Sequence, residues 1–530
     1  MTHALTRRAA LRLGLASFLA TPFLLGGARA AQSGPPLPMP PLLEPDASGK
    51  IALRMARGRH SFMPSASIAS AGINGPFLGP LVRVRNGTNV IFAVENALGE
   101  ITTLHWHGLF APSEQDGGPH NVIAPSAIWQ PVIAINQPAS FNWFHPHVHG
   151  ETARQAHLGL AGLLAVTDGG DRERGLPSRH GIDDLPLILQ DRRVLDGETP
   201  YTPDMMDVIH GFRGTHIAVN GAIGPVAPVP AGLVRLRFLN AANARNFHLR
   251  FADGRPMHVI ASDGGFLAKP AETALLTIAP GERYEVLADF SDGTPVNLVT
   301  LPDDNGKFGM GMMDRMKAFA SSLAADEAHV MAFAPDAGIA ADLRALPGSL
   351  DDPGMADPAK AEKRRDFLFD ERLAENMAAM MQGGQMGGGM MGGQMGGMDH
   401  SAHAGRALGE TGPAVHAMTS GIAMAMAGAP FDMGRIDVEA RLGSDEIWTL
   451  STQEMAHPFH IHGASFRVLT KNGKAPDIWE TGWKDTVLVS GKAELLVRFN
   501  RPAAKEKPFM FHCHILEHED AGMMGQFITA

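Results

Sequence analysis

The chain contains a weak internal repeat in which a predicted strand and a turn lead into an H-x-H-G motif. VENALGEITTLHWHG (94–108) resembles WTLSTQEMAHPFHIHG (448–463), and NWFHPHVHGE (142–151) resembles FMFHCHILEHE (509–519). A middle version, LRFLNAANARNFHLRF, keeps a single histidine, His248. Repetition of this kind indicates one structural unit that is used more than once. The repeat therefore predicts three related units, over residues 40–170, 175–340 and 345–530.

Short segments with alternating apolar and polar residues occur in all three units. Examples are LVRVRN (81–86), LVRLRFLN (233–240) and ELLVRFN (494–500). A period of two is typical of strands with one buried face, and many short strands between Gly/Pro turns are typical of a sandwich. We therefore predict an all-β fold of three Greek-key β-sandwich domains.

One stretch of the third unit departs from this pattern. Residues 377–398, MAAMMQGGQMGGGMMGGQMGGM, contain eight methionines and nine glycines. So much glycine does not support a packed core, so we predict a flexible insertion. A low-complexity loop without any ligand role is the simpler alternative.

The first 30 residues are typical of an export signal. Arg7 and Arg8 precede an apolar run over 11–25, and Ala28-Arg29-Ala30 supplies the small residues of a cleavage site. Paired arginines favour a twin-arginine signal over an ordinary secretory signal. The run is too short to span a bilayer comfortably, so no membrane span is expected in the mature, periplasmic chain. A net charge of −10 gives no indication of nucleic-acid binding.

Four H-x-H pairs carry most of the chemistry. On a strand, residues i and i+2 face the same side, so both imidazoles of each pair point to one place. Eight converging imidazoles suit a cluster of several copper ions between two domains. The pairs are His105/His107, His145/His147, His460/His462 and His512/His514.

Cys513 is the one cysteine in the chain, and it stands between His512 and His514. By the same alternation it faces away from those two histidines, so one strand serves two metal centres. His457 and His518 can complete a blue-copper set of two histidines and one cysteine, with a weak axial methionine. Met523 and Met524 are the axial candidates, and the equal five-residue steps from Cys513 to His518 to Met523 favour Met523. A free buried thiol is the simpler alternative.

In these four motifs the chain resembles the multicopper oxidases with three cupredoxin domains. The resemblance implies one type 1, one type 2 and two type 3 coppers. The implied type 1 ligands are His457, Cys513, His518 and Met523, and the type 2 pair is His105 and His460. The implied type 3 ligands are His107, His145 and His514 on one copper and His147, His462 and His512 on the other. Asp116 and Glu519 match the acids that pass protons to oxygen intermediates in the family.

The insertion and the stretch HPFHIHG…HCHILEHEDAGMM resemble the periplasmic cuprous oxidases of bacterial copper tolerance. This implies oxidation of Cu(I) to Cu(II) with dioxygen reduced to water. Thioether sulfur selects Cu(I). Four positions before His457, where these relatives have an acid, the chain has Gln453. The candidate substrate-copper residues are then Met455, Glu454, Met377, Met380 and Met381, with Asp370, Glu371 and Glu375 as further acids nearby.

Other functions remain open at this point. A laccase-like oxidase of phenols or Fe(II) would share the same copper ligands. A non-catalytic copper-binding or division protein could be built on the same fold, although a complete ligand set argues against it. A nitrite reductase needs fewer histidines. A monomer is expected.

Overall fold

The computed structural model describes residues 34–530 except 64–65, 195–199, 304–326, 352, 355 and 373–421. The predicted signal peptide (1–30) and the insertion (377–398) lie outside the described residues. The described chain forms six sheets, which pack face to face as three sandwiches.

The first sandwich combines a sheet of order β1-β4-β9-β8 with one of order β3-β2-β5-β6, in which β7 also pairs with β5. Side chains from both sheets, such as Phe92 and Leu164, share one buried core. Its strands are β1 (Leu42–Leu43), β2 (Lys50–Met63), β3 (Ala66–Ile73), β4 (Leu81–Arg85), β5 (Asn89–Ala97), β6 (Ile128–Trp129), β7 (Val132–Ala134), β8 (Ser140–Phe144) and β9 (Gly162–Thr167).

The second sandwich has a seven-stranded sheet of order β12-β11-β10-β14-β19-β16-β17 and a five-stranded sheet of order β13-β21-β20-β15-β18. Phe238 and Phe333 come from opposite sheets and lie in its core. Its strands are β10 (Asp184–Arg192), β11 (His216–Val219), β12 (Ala222–Ile223), β13 (Val226–Pro230), β14 (Leu233–Asn240), β15 (Phe247–Phe251), β16 (Met257–Ser262), β17 (Gly265–Thr273), β18 (Leu276–Ile278), β19 (Arg283–Asp289), β20 (Val296–Leu301) and β21 (Ala328–Asp336).

The third sandwich pairs a sheet of order β22-β24-β28-β26 with one of order β23-β30-β29-β25-β27. The rings of Trp448 and Phe511, one from each sheet, lie 5.2 Å apart in its core. Its strands are β22 (Lys363–Phe369), β23 (Val438–Ala440), β24 (Ser444–Thr452), β25 (His457–Ile461), β26 (Ser465–Lys471), β27 (Thr486–Val489), β28 (Lys492–Phe499), β29 (Phe509–Cys513) and β30 (Met524–Thr529).

The predicted all-β class with three sandwiches is confirmed. The three alternating segments quoted from the sequence lie in β4, β14 and β28. The three sandwiches span residues 42–167, 184–336 and 363–529. The exact domain boundaries of 40–170, 175–340 and 345–530 stay a prediction.

Three short α-helices of the described chain lie where the sandwiches meet: α1 (Thr152–His157), α2 (Met205–His210) and α3 (Leu516–Asp520). The Asp520 carboxylate accepts hydrogen bonds from the main-chain N–H groups of Thr152 and Ala153, both at 3.0 Å. It thereby anchors α3 of the third sandwich to α1 of the first. None of the described helices has the length and apolar character that a membrane crossing requires.

Candidate metal centre

The end of β29 presents side chains to two separate groups. His512 Nε2 lies 3.2 Å from His147 Nε2 and from His462 Nε2. Cys513 Sγ lies 3.4 Å from His457 Nδ1. Because neighbouring side chains on a strand point to opposite faces, adjacent residues reach different sites. One strand therefore lies between two candidate metal sites, as its alternation predicts.

The smaller group consists of His457, Cys513 and His518. The two Nδ1 atoms face the cysteine sulfur at 3.4 and 3.6 Å and lie 3.3 Å from each other. All three side chains are fully buried. His518 reaches this point because α3 turns the chain back immediately after β29. Two imidazole nitrogens and one thiolate form the donor set of a blue-copper site.

The backbone and the core packing distinguish the two axial candidates. The Met523 carbonyl accepts a hydrogen bond from the Cys513 N–H at 3.1 Å. The Met523 side chain belongs to the same core cluster as Cys513, and Met524 does not. Met524 instead pairs with His512 across β29 and β30. This packing supports Met523 as the axial candidate.

Burial changes how readily the imidazole and the thiol of this group become metal ligands. It lowers the pKa of His518 well below its usual range, and nearby His457 acts in the same direction. His518 is therefore neutral at ordinary pH, with a nitrogen lone pair available. Burial also raises the pKa of the Cys513 thiol well above its usual range. A cation that binds here has to displace the thiol proton, so its affinity rises with pH.

The outer nitrogens of both histidines are hydrogen-bonded. His457 Nε2 donates to Glu371 Oε1 at 2.9 Å, and His518 Nε2 donates to the Ile209 carbonyl at 3.0 Å. Such partners fix the tautomer, so that Nδ1 faces the metal. The ring of Phe369 stacks on His457 at 4.9 Å. The sequence identified Glu371 only as one of several acids before the insertion, and no local spacing indicates its contact with His457.

The candidate substrate-copper residues do not all come together. Met455 is buried in the core cluster of the third sandwich, whereas the side chain of Glu454 is exposed. Glu371, which is buried, accepts a hydrogen bond from the Met455 N–H and lies beside His457. The buried acid beside His457 is therefore Glu371, while the assignment of Glu454 to the substrate site stays a prediction. Met377, Met380 and Met381 lie outside the described residues.

The larger group contains the eight paired histidines. Their ligand atoms approach within 4.8 Å of one another in three sets. The sets are His107/His145/His514, His147/His462/His512 and His105/His107/His460. The first two contain the residues assigned to the two type 3 coppers, and the third contains the type 2 pair. The histidines come from the first and third sandwiches, so the cluster lies between those two.

Many of these rings have one satisfied and one unsatisfied nitrogen. His105 Nδ1, His145 Nδ1 and His460 Nδ1 each bond a main-chain carbonyl, at 2.8 to 3.0 Å. The Nε2 atoms of the same rings have no hydrogen-bond partner among the described residues, and neither has His107 Nδ1 nor either nitrogen of His514. A buried, unpaired polar atom costs roughly 1–3 kcal/mol. Several of them directed at one region are explained by metal ions, and a donor set of imidazoles fits copper.

The acid–base state of the cluster supports this interpretation. Burial, followed by the charges of neighbouring imidazoles, lowers the pKa of His107, His145, His147, His460, His462 and His514 well below the usual range. Burial lowers the pKa of His512 to about 3. These rings are therefore neutral near pH 7, as metal ligands have to be.

The two predicted acids lie behind the cluster histidines. Asp116 Oδ2 is 2.8 Å from His462 Nδ1. The Glu519 carboxylate oxygens are each 3.3 Å from a ring nitrogen, one of His147 and one of His512. Burial raises the pKa of Glu519 well above its usual range, and the neighbouring Asp520 raises it further. The Glu519 carboxyl is therefore more readily protonated than an ordinary one, and it lies within reach of the cluster ligands.

Comparison with known proteins agrees with this geometry. Sequence models described as "multicopper oxidase" match residues 55–171, 196–299 and 408–530. The cell division proteins FtsP of Edwardsiella tarda (strain FL6-60) and Escherichia coli (strain K12) are each 34% identical over 504 residues, which is 95% of this chain and 94% of each relative.

Two solved structures extend the comparison. One is described as the laccase-like multi-copper oxidase CueO of a lignin-degrading Ochrobactrum sp., with oxidase activity towards lignin model compounds and lignosulfonate. It is 55% identical, has a TM-score of 0.82 and is matched over 93% of this chain and 100% of its own. A laccase from Pediococcus acidilactici Pa5930 is 31% identical, with a TM-score of 0.74 and coverage of 94% and 95%. The chain belongs to the multicopper oxidase family.

Proposed function

We propose that the protein oxidises Cu(I) to Cu(II) and reduces dioxygen to water. The proposal rests mainly on one observation: the tripeptide His512-Cys513-His514 joins a group with the donors of a blue-copper site to a cluster of eight histidines. When bound, copper supplies one-electron exchange at the first group and the reduction of dioxygen at the second. Reduction of one dioxygen to two waters consumes four electrons and four protons, so four Cu(I) ions are oxidised.

Four copper ions fit the donors that converge. His457, Cys513, His518 and Met523 would hold the type 1 copper. The type 2 copper would lie between His105 and His460. The two type 3 coppers would be held by His107, His145 and His514 and by His147, His462 and His512.

The protein's own residues supply a covalent link and a proton source. Cys513 is joined by single peptide units to two cluster histidines, so the two sites share a short covalent path. Burial and the neighbouring Asp520 raise the pKa of Glu519, so it holds a proton more readily than an ordinary carboxyl, and Asp116 contacts His462. We assign both acids to proton delivery to the cluster. Glu519→Gln and Asp116→Asn should each lower the turnover rate, while copper content and blue absorption stay at the parent level.

The closure of the type 1 group supports Cu(I) as the donor. Both outer histidine edges are hydrogen-bonded inside the protein, to Glu371 and to the Ile209 carbonyl. Glu371 and Met455 are each at most 3% exposed. Among the described residues a bulky phenol therefore finds no open imidazole edge at His457 or His518, whereas a small cation can bind the Glu371 carboxylate beside His457. We replace Glu454 by Glu371 in the proposed substrate site for this reason.

The methionine-rich insertion offers a test of the donor. We expect deletion of residues 377–398 to lower Cu(I) turnover and to raise turnover of bulky phenols. The matched control keeps the length and changes the eight methionines of the segment to serine. If thioethers collect Cu(I), this control should lose Cu(I) turnover as the deletion does. If the parent, the deletion variant and the serine variant oxidised Cu(I) and a bulky phenol equally well, the insertion would have no part in the proposal.

Oxidation of phenols or of Fe(II) is the second candidate function. It is favoured by the solved relative of 55% identity, which is described as active towards lignin model compounds and lignosulfonate. Oxygen uptake by the copper-loaded protein, with Cu(I) or a phenol as donor and with free Cu(II) removed, distinguishes the two. Fast uptake on Cu(I) with slow phenol turnover supports the proposal, and the opposite result makes the protein a laccase.

A role in cell division without catalysis is the third candidate, because the FtsP proteins are 34% identical over nearly the whole chain. The complete set of converging donors argues for bound copper. Metal analysis of protein exported under copper-replete conditions decides the question. About four coppers per chain support the oxidase, and a chain without copper supports the division role.

We place the mature protein in the periplasm, as a monomer exported by the twin-arginine route. Arg7 and Arg8 are the residues on which this proposal depends. Changing both to lysine should leave the unprocessed precursor in the cytoplasm, whereas export at the parent rate would indicate an ordinary secretory signal. Light scattering after size-exclusion chromatography measures the oligomeric state.

A further inference from the structure

The side chain of Asp485 lies directly behind the histidine cluster, on the side away from the converging ligand atoms. Asp485 precedes β27 and is buried. Its Oδ1 lies 3.1 Å from His107 Nε2 and accepts a hydrogen bond from Thr486 Oγ1 at 2.8 Å. Its main-chain carbonyl lies 2.9 Å from His460 Nδ1. One residue therefore contacts two cluster histidines, one through its side chain and one through its backbone.

The carboxylate selects the nitrogen that His107 directs at the cluster. Both oxygens of this carboxylate accept hydrogen bonds from the Arg283 guanidinium, so the carboxylate acts as an acceptor and the ring nitrogen that faces it carries the proton. His107 Nε2 is then a donor, and Nδ1, which has no partner among the described residues, keeps its lone pair for a metal. In His105, His145 and His460 the unpartnered nitrogen is Nε2 instead. Asp485 accounts for this reversed orientation of the His107 ring, together with Thr486 Oγ1, which lies 3.1 Å from the same Nε2 atom.

Arg283 fixes the position of this carboxylate. It begins β19 of the second sandwich and is fully buried. Its two terminal nitrogens each bond one Asp485 oxygen at 2.6 Å, a bidentate pair of the strong, planar kind. Its Nε donates to the Phe141 carbonyl of β8 at 3.0 Å. One side chain thus ties the second sandwich to the strand that leads to His145 and to the loop that carries Asp485.

The backbone leaves room for this contact immediately after His107. Gly108 has a φ of +87°, and a Cβ there would lie 2.5 Å from Arg283 Nη2 and 2.9 Å from Asp485 Oδ2. Those distances are shorter than non-bonded atoms tolerate. The H-W-H-G motif therefore ends in glycine at the point where the Arg283–Asp485 pair passes.

We propose that Asp485, held by Arg283, is a positioning residue that fixes the His107 ring with Nδ1 toward the copper cluster. The inference rests on the proposed role of His107 as a copper ligand. It also gives the second sandwich, which contributes no histidine to the cluster, a defined task in assembling it. Loss of such a partner lowers metal affinity by about 10- to 100-fold in comparable sites.

Two variants separate positioning from simple stabilisation. Asp485→Asn keeps an acceptor for His107 but leaves the Arg283 charge poorly paired, so it should be the less stable protein. Asp485→Leu combined with Arg283→Met removes both charges and leaves Thr486 Oγ1 as the one remaining partner of His107 Nε2 among the described residues. It should fold better but position His107 worse. We therefore expect opposite orders: the double variant has the higher apoprotein Tm, and Asp485→Asn has the higher affinity for cluster copper.

The measurements are apoprotein Tm, copper affinity by competition with a chelator, and the EPR spectrum of the cluster copper, with the blue absorption as internal reference. We expect the double variant to lose about 10- to 100-fold in affinity for cluster copper while its blue absorption stays at the parent level. Asp191→Leu with Arg245→Met removes another buried ion pair of the second sandwich and serves as the control. The proposal would be overturned if the cluster of the double variant bound copper as tightly as the parent. It would also be overturned if copper affinity rose and fell with apoprotein Tm across all the variants.

Discussion

Replacing Glu371 by glutamine tests how the protein binds its electron donor. The substitution keeps the shape of the side chain and a carbonyl oxygen that can accept from His457 Nε2, now 2.9 Å away, but it removes the negative charge. Burial alone would raise the pKa of Glu371, yet the hydrogen bond and charge of His457 outweigh burial and lower it. Glu371 is therefore ionised near pH 7, and the variant changes a charged contact into a neutral one.

The size of the effect follows from this contact. A hydrogen bond to a charged group stabilises by roughly 1.5–3 kcal/mol and a neutral one by about 0.5–1.5 kcal/mol. The loss is therefore about 1–1.5 kcal/mol, and a Cu(I) ion bound beside the carboxylate loses at least as much. Since 1.4 kcal/mol corresponds to a factor of ten, the KM for Cu(I) should rise by about 5- to 12-fold.

Steady-state oxygen uptake measures this prediction, with Cu(I) and a phenol tested on the same preparation. We expect the KM for Cu(I) to rise and the KM for the phenol to stay unchanged, because a phenol does not depend on the carboxylate. Glu454→Gln is the matched control, since its side chain is exposed and a surface change of this kind alters affinity by about twofold at most. An unchanged KM for Cu(I) in Glu371→Gln would refute the reasoning. Equal loss on both donors with weaker blue absorption would reduce Glu371 to a support for His457.

Four further predictions concern the type 1 group, the cluster, a core and the surface. Cys513→Ser should abolish blue absorption and oxygen uptake without unfolding the chain, and retained uptake would exclude Cys513 from the electron path. Gly281→Ala places a Cβ 2.7 Å from His514 Cδ2, so cluster copper should fall while blue absorption persists. Phe333→Ala, fully buried, should cost about 3–5 kcal/mol in urea unfolding. Hydrogen bonds from Arg174 lower the pKa of Asp168 to about 2 from 3.8. Its stabilisation is thus present above pH 4 and lost toward pH 2, so Asp168→Asn should cost under about 1 kcal/mol at pH 7 and nothing at pH 2.

The sequence determined the features that depend on local backbone geometry. Alternation along a strand has a period of two, so it is readable from residue order alone. For this reason residue order alone predicts that both imidazoles of an H-x-H pair face one side. It also predicts that Cys513 points away from the two histidines that flank it. The same alternation gave the all-β class. The assignment of His105 and His460 to one copper came from family resemblance, because no local period relates residues that far apart.

Tertiary structure alone decided which distant groups support the ligands. Glu371 lies 86 residues before His457, Ile209 lies 309 before His518, and Asp485 lies 378 after His107. The entropy of closing a loop changes only slowly with its length, so sequence separation says almost nothing about whether such residues meet. Their meeting is set by how three sandwiches pack, through buried contacts such as the Arg283–Asp485 pair. The sequence thus determined the candidate metal ligands, and packing decided which nitrogen of each histidine ring faces the candidate site.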